Sequence, residues 1–212
     1  MFTTLLTLLC ATAVIVLVRA ESAGYRGLVY VSKPLATLTL VALAAYSIPA
    51  VEAPYQRLIT IGLVLSLVGD VFLMWPRDRF VYGLVAFLAA HVLYIAAFVL
   101  RSQPLAIAPF LPFVLASVFI VRLLWRHAGA LRIPVAGYAL IIATMAGCAL
   151  SVAVQEGSPG AWLAAAGSVL FVLSDAALAM DRFVGSIPSG RTVVLATYYP
   201  AQWLIALSVS IA

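Results

Sequence analysis

The sequence predicts an all-α, polytopic membrane protein of about eight transmembrane helices, arranged as a parallel four-plus-four internal repeat. Three observations carry that expectation. Hydrophobic residues make up 66% of the 212 and charged residues only 9%, with mean hydropathy +1.18; a soluble domain carries about 25% charged residues. Apolar windows near the ~20 residues that cross a bilayer core recur along the whole chain. One motif also occurs twice, as "LVLSLVGDVFLMWPRDRF" at 63–80 and "VLFVLSDAALAMDRF" at 169–183.

The windows, bounded by Arg, Pro and Gly, fall at 2–18, 28–48, 58–75, 81–100, 105–125, 133–154, 161–180 and 192–211. The first could be mistaken for a secretory signal, but it lacks a basic n-region and its apolar stretch is too long, so it reads as a helix. The second holds Lys33. The third has a single ionisable group, Asp70, in the seventeen residues from Leu58 to Met74. The fourth carries His91 and Tyr94. Pro104, Pro109 and Pro112 crowd the start of the fifth, the sixth carries Tyr138, and the seventh holds Asp175. In the eighth, Pro200 should loosen the helix and free a carbonyl. The connections are too short to fold alone, so residues 1–212 read as a single transmembrane helical domain.

Net charge is +5, with pI about 9.5. The basic residues sit singly or in small groups at segment ends, which signals topology and not nucleic acid. Arg19, Arg26, Arg77, Arg79, Arg122, Arg126, Arg132, Arg182 and Arg191 fall on one side, against Arg57 and Arg101 on the other. Nine against two makes the first side cytoplasmic and both termini non-cytoplasmic, as in a multi-pass protein of a bacterial inner (plasma) membrane. Cys10 and Cys148 lie in apolar runs and read as buried small hydrophobes, with no disulfide or metal role. Trp75, Trp125 and Trp162 fit an interfacial belt, and Trp203 lies deeper.

The repeat extends beyond the two acids. Gly62 precedes Asp70 by eight residues, as Gly167 precedes Asp175, and a leucine follows each acid three residues on. Four spans separate the copies, so the two aspartates run in the same direction and reach the same depth. At 1.5 Å per residue, Asp70, Asp175, Lys33 and Tyr198 land roughly 8–9 Å below the cytoplasmic surface, and His91 and Gln202 about 15 Å down. His91 with Tyr94, Tyr198 with Gln202, and Ser66 with Asp70 are three or four apart, so each pair shares a helix face.

An ionised Asp in mid-helix costs ~2.5–3.5 kcal/mol on insertion scales. Two such acids must face the interior and find partners, and Lys33 is the one intramembrane cation in the sequence. The plainer alternatives are an Asp–Lys pair that knits helices together, a packing histidine at 91, and tyrosines at 94, 138, 198 and 199 that serve as ordinary interhelical hydrogen bonders. The common depth of these groups favours a site. "PRDRF" and "MDRF" read as interfacial turns, so Asp78 and Asp181 are not catalytic candidates.

In combination, "VSKPLATLTL", "SLVGDVFLM", "GLVAFLAAHVLYIAAF", "GSVLFVLSDAALAM" and "TYYPAQWLI" resemble the YhhN/TMEM86 family, in order from the second span to the eighth. The resemblance implies lysoplasmalogenase activity: hydrolysis of the vinyl-ether bond of a lysoplasmalogen to a fatty aldehyde and a glycerophospho-headgroup alcohol. It implies that Asp70 and Asp175 are the catalytic pair. It places Lys33, His91, Tyr94, Tyr138, Ser174, Tyr198 and Gln202 on the family's other recurring polar positions, where they would bind substrate. The implied partners are a lysophospholipid substrate and membrane lipid, with no cofactor.

The chemistry suits those residues. Hydrating a vinyl ether needs a proton delivered to the β-carbon, then water added to the resulting oxocarbenium ion. That asks for one carboxylic acid and one carboxylate, much as glycoside hydrolysis does. Two acids close together in low dielectric cannot both ionise, so one stays protonated. Lys33 would either bind the substrate phosphate or bias one aspartate to stay charged.

An intramembrane aspartyl protease would need Gly-x-Gly-Asp, but Leu67 occupies the first glycine position. A proton-coupled transporter of a small or lipid-like solute is the stronger rival, since repeats and membrane carboxylates fit it. His-Glu-x-x-His, glycine-rich phosphate loops and Gly-x-Ser-x-Gly are all absent from the sequence, which leaves metal, nucleotide and serine-hydrolase readings without support.

Overall fold

The computed structural model describes residues 2–48, 51–75, 79–101, 104–185 and 189–211. Arg77, Asp78 and Ala212 lie outside the described residues. The elements are α1 (Phe2–Ala23), α2 (Arg26–Tyr46), α3 (Ala53–Met74), α4 (Phe80–Arg101), α5 (Leu111–Leu124), α6 (Arg132–Glu156), α7 (Pro159–Phe183) and α8 (Gly190–Leu207). Short 3-10 turns at Ala108–Phe110 and Gly129–Leu131 lead into α5 and α6. Each predicted window contains one helix.

The boundaries differ where propensity and proline override hydropathy. The first helix runs past Val18 to Ala23 because "RAESA" continues it with good helix formers after the apolar stretch ends. The third begins at Ala53, with Pro54 in its first turn, where a missing N–H costs nothing. The fifth shrinks to Leu111–Leu124, its proline-rich start taken up by the 3-10 turn. Helix α6 ends on Gly157 in the left-handed conformation (φ 65°), and Ser158 then caps α7 by accepting from the Ala161 N–H at 3.3 Å. The last helix stays helical through Pro200.

Among the described residues six segments are long and apolar enough to cross a membrane: α1 to α4, α6 with its leading turn, and α7. The apolar segment Ala108–Leu124 is shorter. Helix α8 is diluted by Tyr198, Tyr199 and Gln202, which it turns inward and buries. The helices run up and down. Phe2 at the start of α1 meets Tyr46 at the end of α2, with ring centroids 6.5 Å apart. At the opposite end Arg191 pairs with Glu21 at 3.2 Å and Phe80 meets Phe183 at 5.8 Å.

Packing follows the repeat. Within the halves α3 lies on α4 and α7 on α8, while α2 meets α3 as α6 meets α7. Across the halves α4 packs on α6 and α2 on α8, which are equivalent pairs when the halves are exchanged. Small residues permit the close approach that membrane packing relies on. A Cβ on Gly62 would run into the Tyr94 ring, and one on Gly167 into the Ala201 carbonyl. Leu17, Leu40, Leu63, Phe98 and Phe171 fill the interior, while Leu8, Ile15, Val85 and Phe119 face outward as lipid would require. Cys10 and Cys148 are buried and free. Trp75, Trp125 and Trp162 are exposed near helix ends, and the Trp203 indole N–H donates to Thr7 Oγ1 at 3.0 Å, tying α8 to α1.

Candidate active site

Asp70, on the last two turns of α3, is 1% exposed. Its Oδ1 lies 3.2 Å from Lys33 Nζ on α2. Its Oδ2 accepts from Thr37 Oγ1 at 2.7 Å and from the Tyr198 hydroxyl at 2.8 Å. Three donors, one of them cationic, surround one carboxylate, which is how a buried acid is tolerated. A directed chain feeds it: Tyr94 Oη donates to Gln202 Oε1 (2.9 Å), and Gln202 Nε2 donates to Tyr198 Oη (3.3 Å). Helices α2, α3, α4 and α8 therefore converge on this acid, and Tyr199 adds a bond to the Lys33 carbonyl at 3.2 Å.

Asp175 sits differently. It is partly buried on α7, and its Oδ2 accepts a hydrogen bond from the Tyr138 hydroxyl on α6. It also edges a cavity of about 40 Å³ between α3, α4, α6 and α7, walled by apolar side chains including Leu73, Leu84, Phe87, Val135 and Leu178. Its neighbour Ser174 turns away, donating to the Val194 carbonyl at 3.3 Å and so joining α7 to α8.

His91 lies in the wall between the two acids. It is fully enclosed, with the Phe171 ring at 4.6 Å, Tyr138 at 5.5 Å and Tyr94 at 6.5 Å. Neither of its ring nitrogens makes a hydrogen bond of normal geometry. Phe87 and Phe171 continue the wall, each packed edge-on against Tyr198 at 5.8 and 5.5 Å.

The two acids take separate hydrogen-bond partners. No hydrogen bond joins the two carboxyls among the described residues, and the cavity at Asp175 is not lined by Asp70, Lys33 or His91. The reason is geometric: helical rise fixes depth, whereas the facing direction depends on which neighbour each helix packs against. Asp70 turns towards α2 and α8, Asp175 towards α6. Of the sequence candidates, Lys33, Tyr94, Tyr198 and Gln202 gather at Asp70, Tyr138 joins Asp175, His91 stands between, and Ser174 joins neither. Among the described residues no group of three His, Cys, Asp or Glu could hold a metal ion.

Thr37 was missed, although its position one turn after Lys33 puts it on the same helix face. A second signal was also legible. Lys33 precedes Asp70 by 37 residues, and Tyr138 precedes Asp175 by the same 37. Each acid is thus bonded by the repeat-equivalent residue of the preceding helix, a lysine in one half and a tyrosine in the other.

Known proteins are similar to this chain over part of its length. Lysoplasmalogenase TMEM86A of Bos taurus is 36% identical over 160 residues, covering 73% of this chain and 66% of its own length. Lysoplasmalogenase TMEM86B of Homo sapiens is 41% identical over 155 residues, covering 73% and 64%. The membrane protein YhhN of Escherichia coli O157:H7 is 33% identical over 133 residues, covering 59% and 62%. The chain thus spans slightly under two thirds of the length of these relatives. No solved structure matches it. The pattern of the YhhN family matches residues 28–209, a stretch that takes in both acids and every partner just described, and the chain belongs to that family.

Proposed function

We propose that the protein is an intramembrane hydrolase that cleaves the vinyl-ether bond of a lysoplasmalogen, or a related lysolipid, to a fatty aldehyde and a glycerophospho-headgroup alcohol. The observation that carries this reading is the pair of repeat-related acids, one in a ring of donors and one at an apolar cavity, in a chain 36–42% identical to proteins named lysoplasmalogenase. A vinyl ether is apolar and hydrolyses by acid chemistry, so an acid at an apolar cavity suits it. One aspartate would protonate the β-carbon while the other stays a carboxylate. Water would then add to the oxocarbenium ion, and the hemiacetal would collapse to aldehyde and alcohol. Tyr94, Gln202, Tyr198 and His91 would order the interior around the lysolipid.

Incubation of purified protein with lysoplasmalogen and, separately, with a saturated lysophospholipid tests the reading. Aldehyde from the first alone is the expected result, and none from either would overturn it. The Tyr94–Gln202–Tyr198–Asp70 chain also favours a second reading, a proton-coupled transporter, because linked hydroxyls and amides can pass protons. Solute uptake that requires a proton gradient across sealed vesicles, with no lipid consumed in detergent, would select it. The proposed orientation puts both termini outside the cytoplasm of a bacterial inner membrane. A cytoplasm-active reporter fused to the C-terminus should stay silent, and strong activity would reverse the topology.

A further inference from the structure

We infer that the two halves have divided the work: Asp175 delivers the proton to carbon, Tyr138 positions it, and the small apolar cavity beside them receives the vinyl-ether end of the lysolipid. This deepens the hydrolase reading and rests on it.

Three observations converge. Both oxygens of Asp70 are engaged, Oδ1 by Lys33 and Oδ2 by Thr37 and Tyr198, in a buried site whose residues do not line the cavity beside Asp175. Asp175 spends only Oδ2, on the Tyr138 hydroxyl, and no described residue bonds its Oδ1. An oxygen that carries a transferable proton must be left free in this way. The cavity at Asp175 is walled by apolar side chains except for Asp175 and Tyr138 themselves. Its small volume, about 40 Å³, and its apolar walls suit a vinylic pair of carbons better than a charged headgroup.

Repeat symmetry explains why Tyr138 is the partner. It stands where the first half places Lys33. A lysine there would hold the acid as a carboxylate, whereas a phenol donates one hydrogen bond and brings no charge. Replacing the cation is the change that would convert a charge-matched acid into a proton donor.

The step balances. The Asp175 Oδ1 proton moves to the β-carbon, the π electrons form the new C–H bond, and an ether-oxygen lone pair closes the oxocarbenium ion. Water adds to the α-carbon and returns its proton to the Asp175 carboxylate. The hemiacetal O–H proton passes to the ether oxygen as the C–O bond breaks, releasing aldehyde and alcohol. Asp70 remains the carboxylate of the pair.

The test uses the full-length protein in detergent with two readouts. First, a non-hydrolysable alkyl-ether lysolipid carrying a diazirine beside the ether oxygen is photocrosslinked, and the labelled residues are mapped. Labels on Leu84, Val135 or Leu178 are expected; labels around Lys33 and Tyr198 instead would overturn the inference. Second, Tyr138→Phe, which keeps the ring in the cavity wall, should lower kcat on lysoplasmalogen at least ~10-fold and change its pH profile, with KM held within about twofold. An unchanged kcat, or a rise in KM alone, would remove Tyr138 from the role. Should wild-type protein yield no aldehyde, the hydrolase reading fails by itself, and the crosslinking map still decides whether the cavity takes the ether end. Leu84→Trp, which fills the cavity from outside the acid pair, should abolish the crosslink in folded protein, and persistence of the label would refute the cavity.

Discussion

Asp70 and Asp175 occupy equivalent places in a duplicated sequence, yet one is sealed in and the other is not. The first is 1% exposed and bonded by three side chains from α2 and α8. The second is partly buried, bonded by one phenol from α6, and borders a cavity. Backbone geometry was kept: the 37-residue spacing from partner to acid and the eight-residue spacing from glycine to acid are the same in both halves. Chemistry diverged at the partner positions. Duplication supplies two matched frames, and changes at the partner positions, lysine against tyrosine and threonine against isoleucine, decide how tightly each acid is tied.

The largest expected effect is on turnover. Asn keeps the size of Asp but can neither deliver a proton nor carry a carboxylate's charge, so Asp175→Asn, which removes the donor, and Asp70→Asn, which removes the standing carboxylate, should each lose ~10²–10⁴-fold in aldehyde formation. The double variant should be little worse than either single one if the acids act as a unit. The halves should then separate on stability: Asp175→Asn should fold as well as wild type, while Asp70→Asn should also lower resistance to denaturing detergent. Near-wild-type turnover of either variant in folded protein would leave the acids a structural or transport role.

Lys33 gives the next contrast. Removing one member of a buried ion pair strands the other, at about 3–5 kcal/mol. Lys33→Met should destabilise by that order, and adding Asp70→Asn should restore part of the loss. Tyr138→Phe strands no charge and should cost far less. If Lys33 instead holds the substrate phosphate, Lys33→Met would raise KM with little change in stability, which steady-state kinetics and unfolding together would reveal.

The paired glycines offer a packing comparison. A Cβ at Gly62 meets the Tyr94 ring, a side chain that can shift, whereas one at Gly167 meets the Ala201 backbone carbonyl and Ile205. Overpacking costs typically about 1–3 kcal/mol. Gly167→Ala should sit at the upper end and Gly62→Ala at the lower, measured by unfolding in mixed micelles. Equal effects would mean that α7 and α8 slide apart as easily as a ring rotates.

Most of the helical frame was legible because hydropathy reports what lipid demands of a span. The ends were less legible, since "RAESA" and the prolines before α5 obey local rules that hydropathy ignores. That Lys33, Asp70 and Tyr198 meet at one level followed from helical rise. Facing direction did not follow. Whether Asp175 turns towards Asp70 or towards Tyr138 depends on α7 packing against α6, a choice made by many apolar contacts at once. Ser174 shows the same limit: beside an acid in sequence, it bonds the α8 backbone in space.

Thr37 provides the finest discrimination between the halves. Its hydroxyl donates to Asp70 Oδ2 at 2.7 Å, and the second half has no counterpart bond at Asp175, because Ile142 stands one turn after Tyr138 as Thr37 stands one turn after Lys33. Thr37→Val keeps shape and removes only the donor. Interhelical side-chain hydrogen bonds in membrane proteins average ~0.6 kcal/mol, with a maximum near ~1.7. Tyr198 and Lys33 remain on the carboxylate, so no charge is stranded and the loss should stay within that range. The reciprocal Ile142→Thr should change stability little, since Asp175 faces Tyr138 and the cavity. A loss from Thr37→Val as large as that from Lys33→Met would mean the Asp70 cluster has no redundancy. The contrast between a securely tied acid and a loosely tied one would then have to be abandoned.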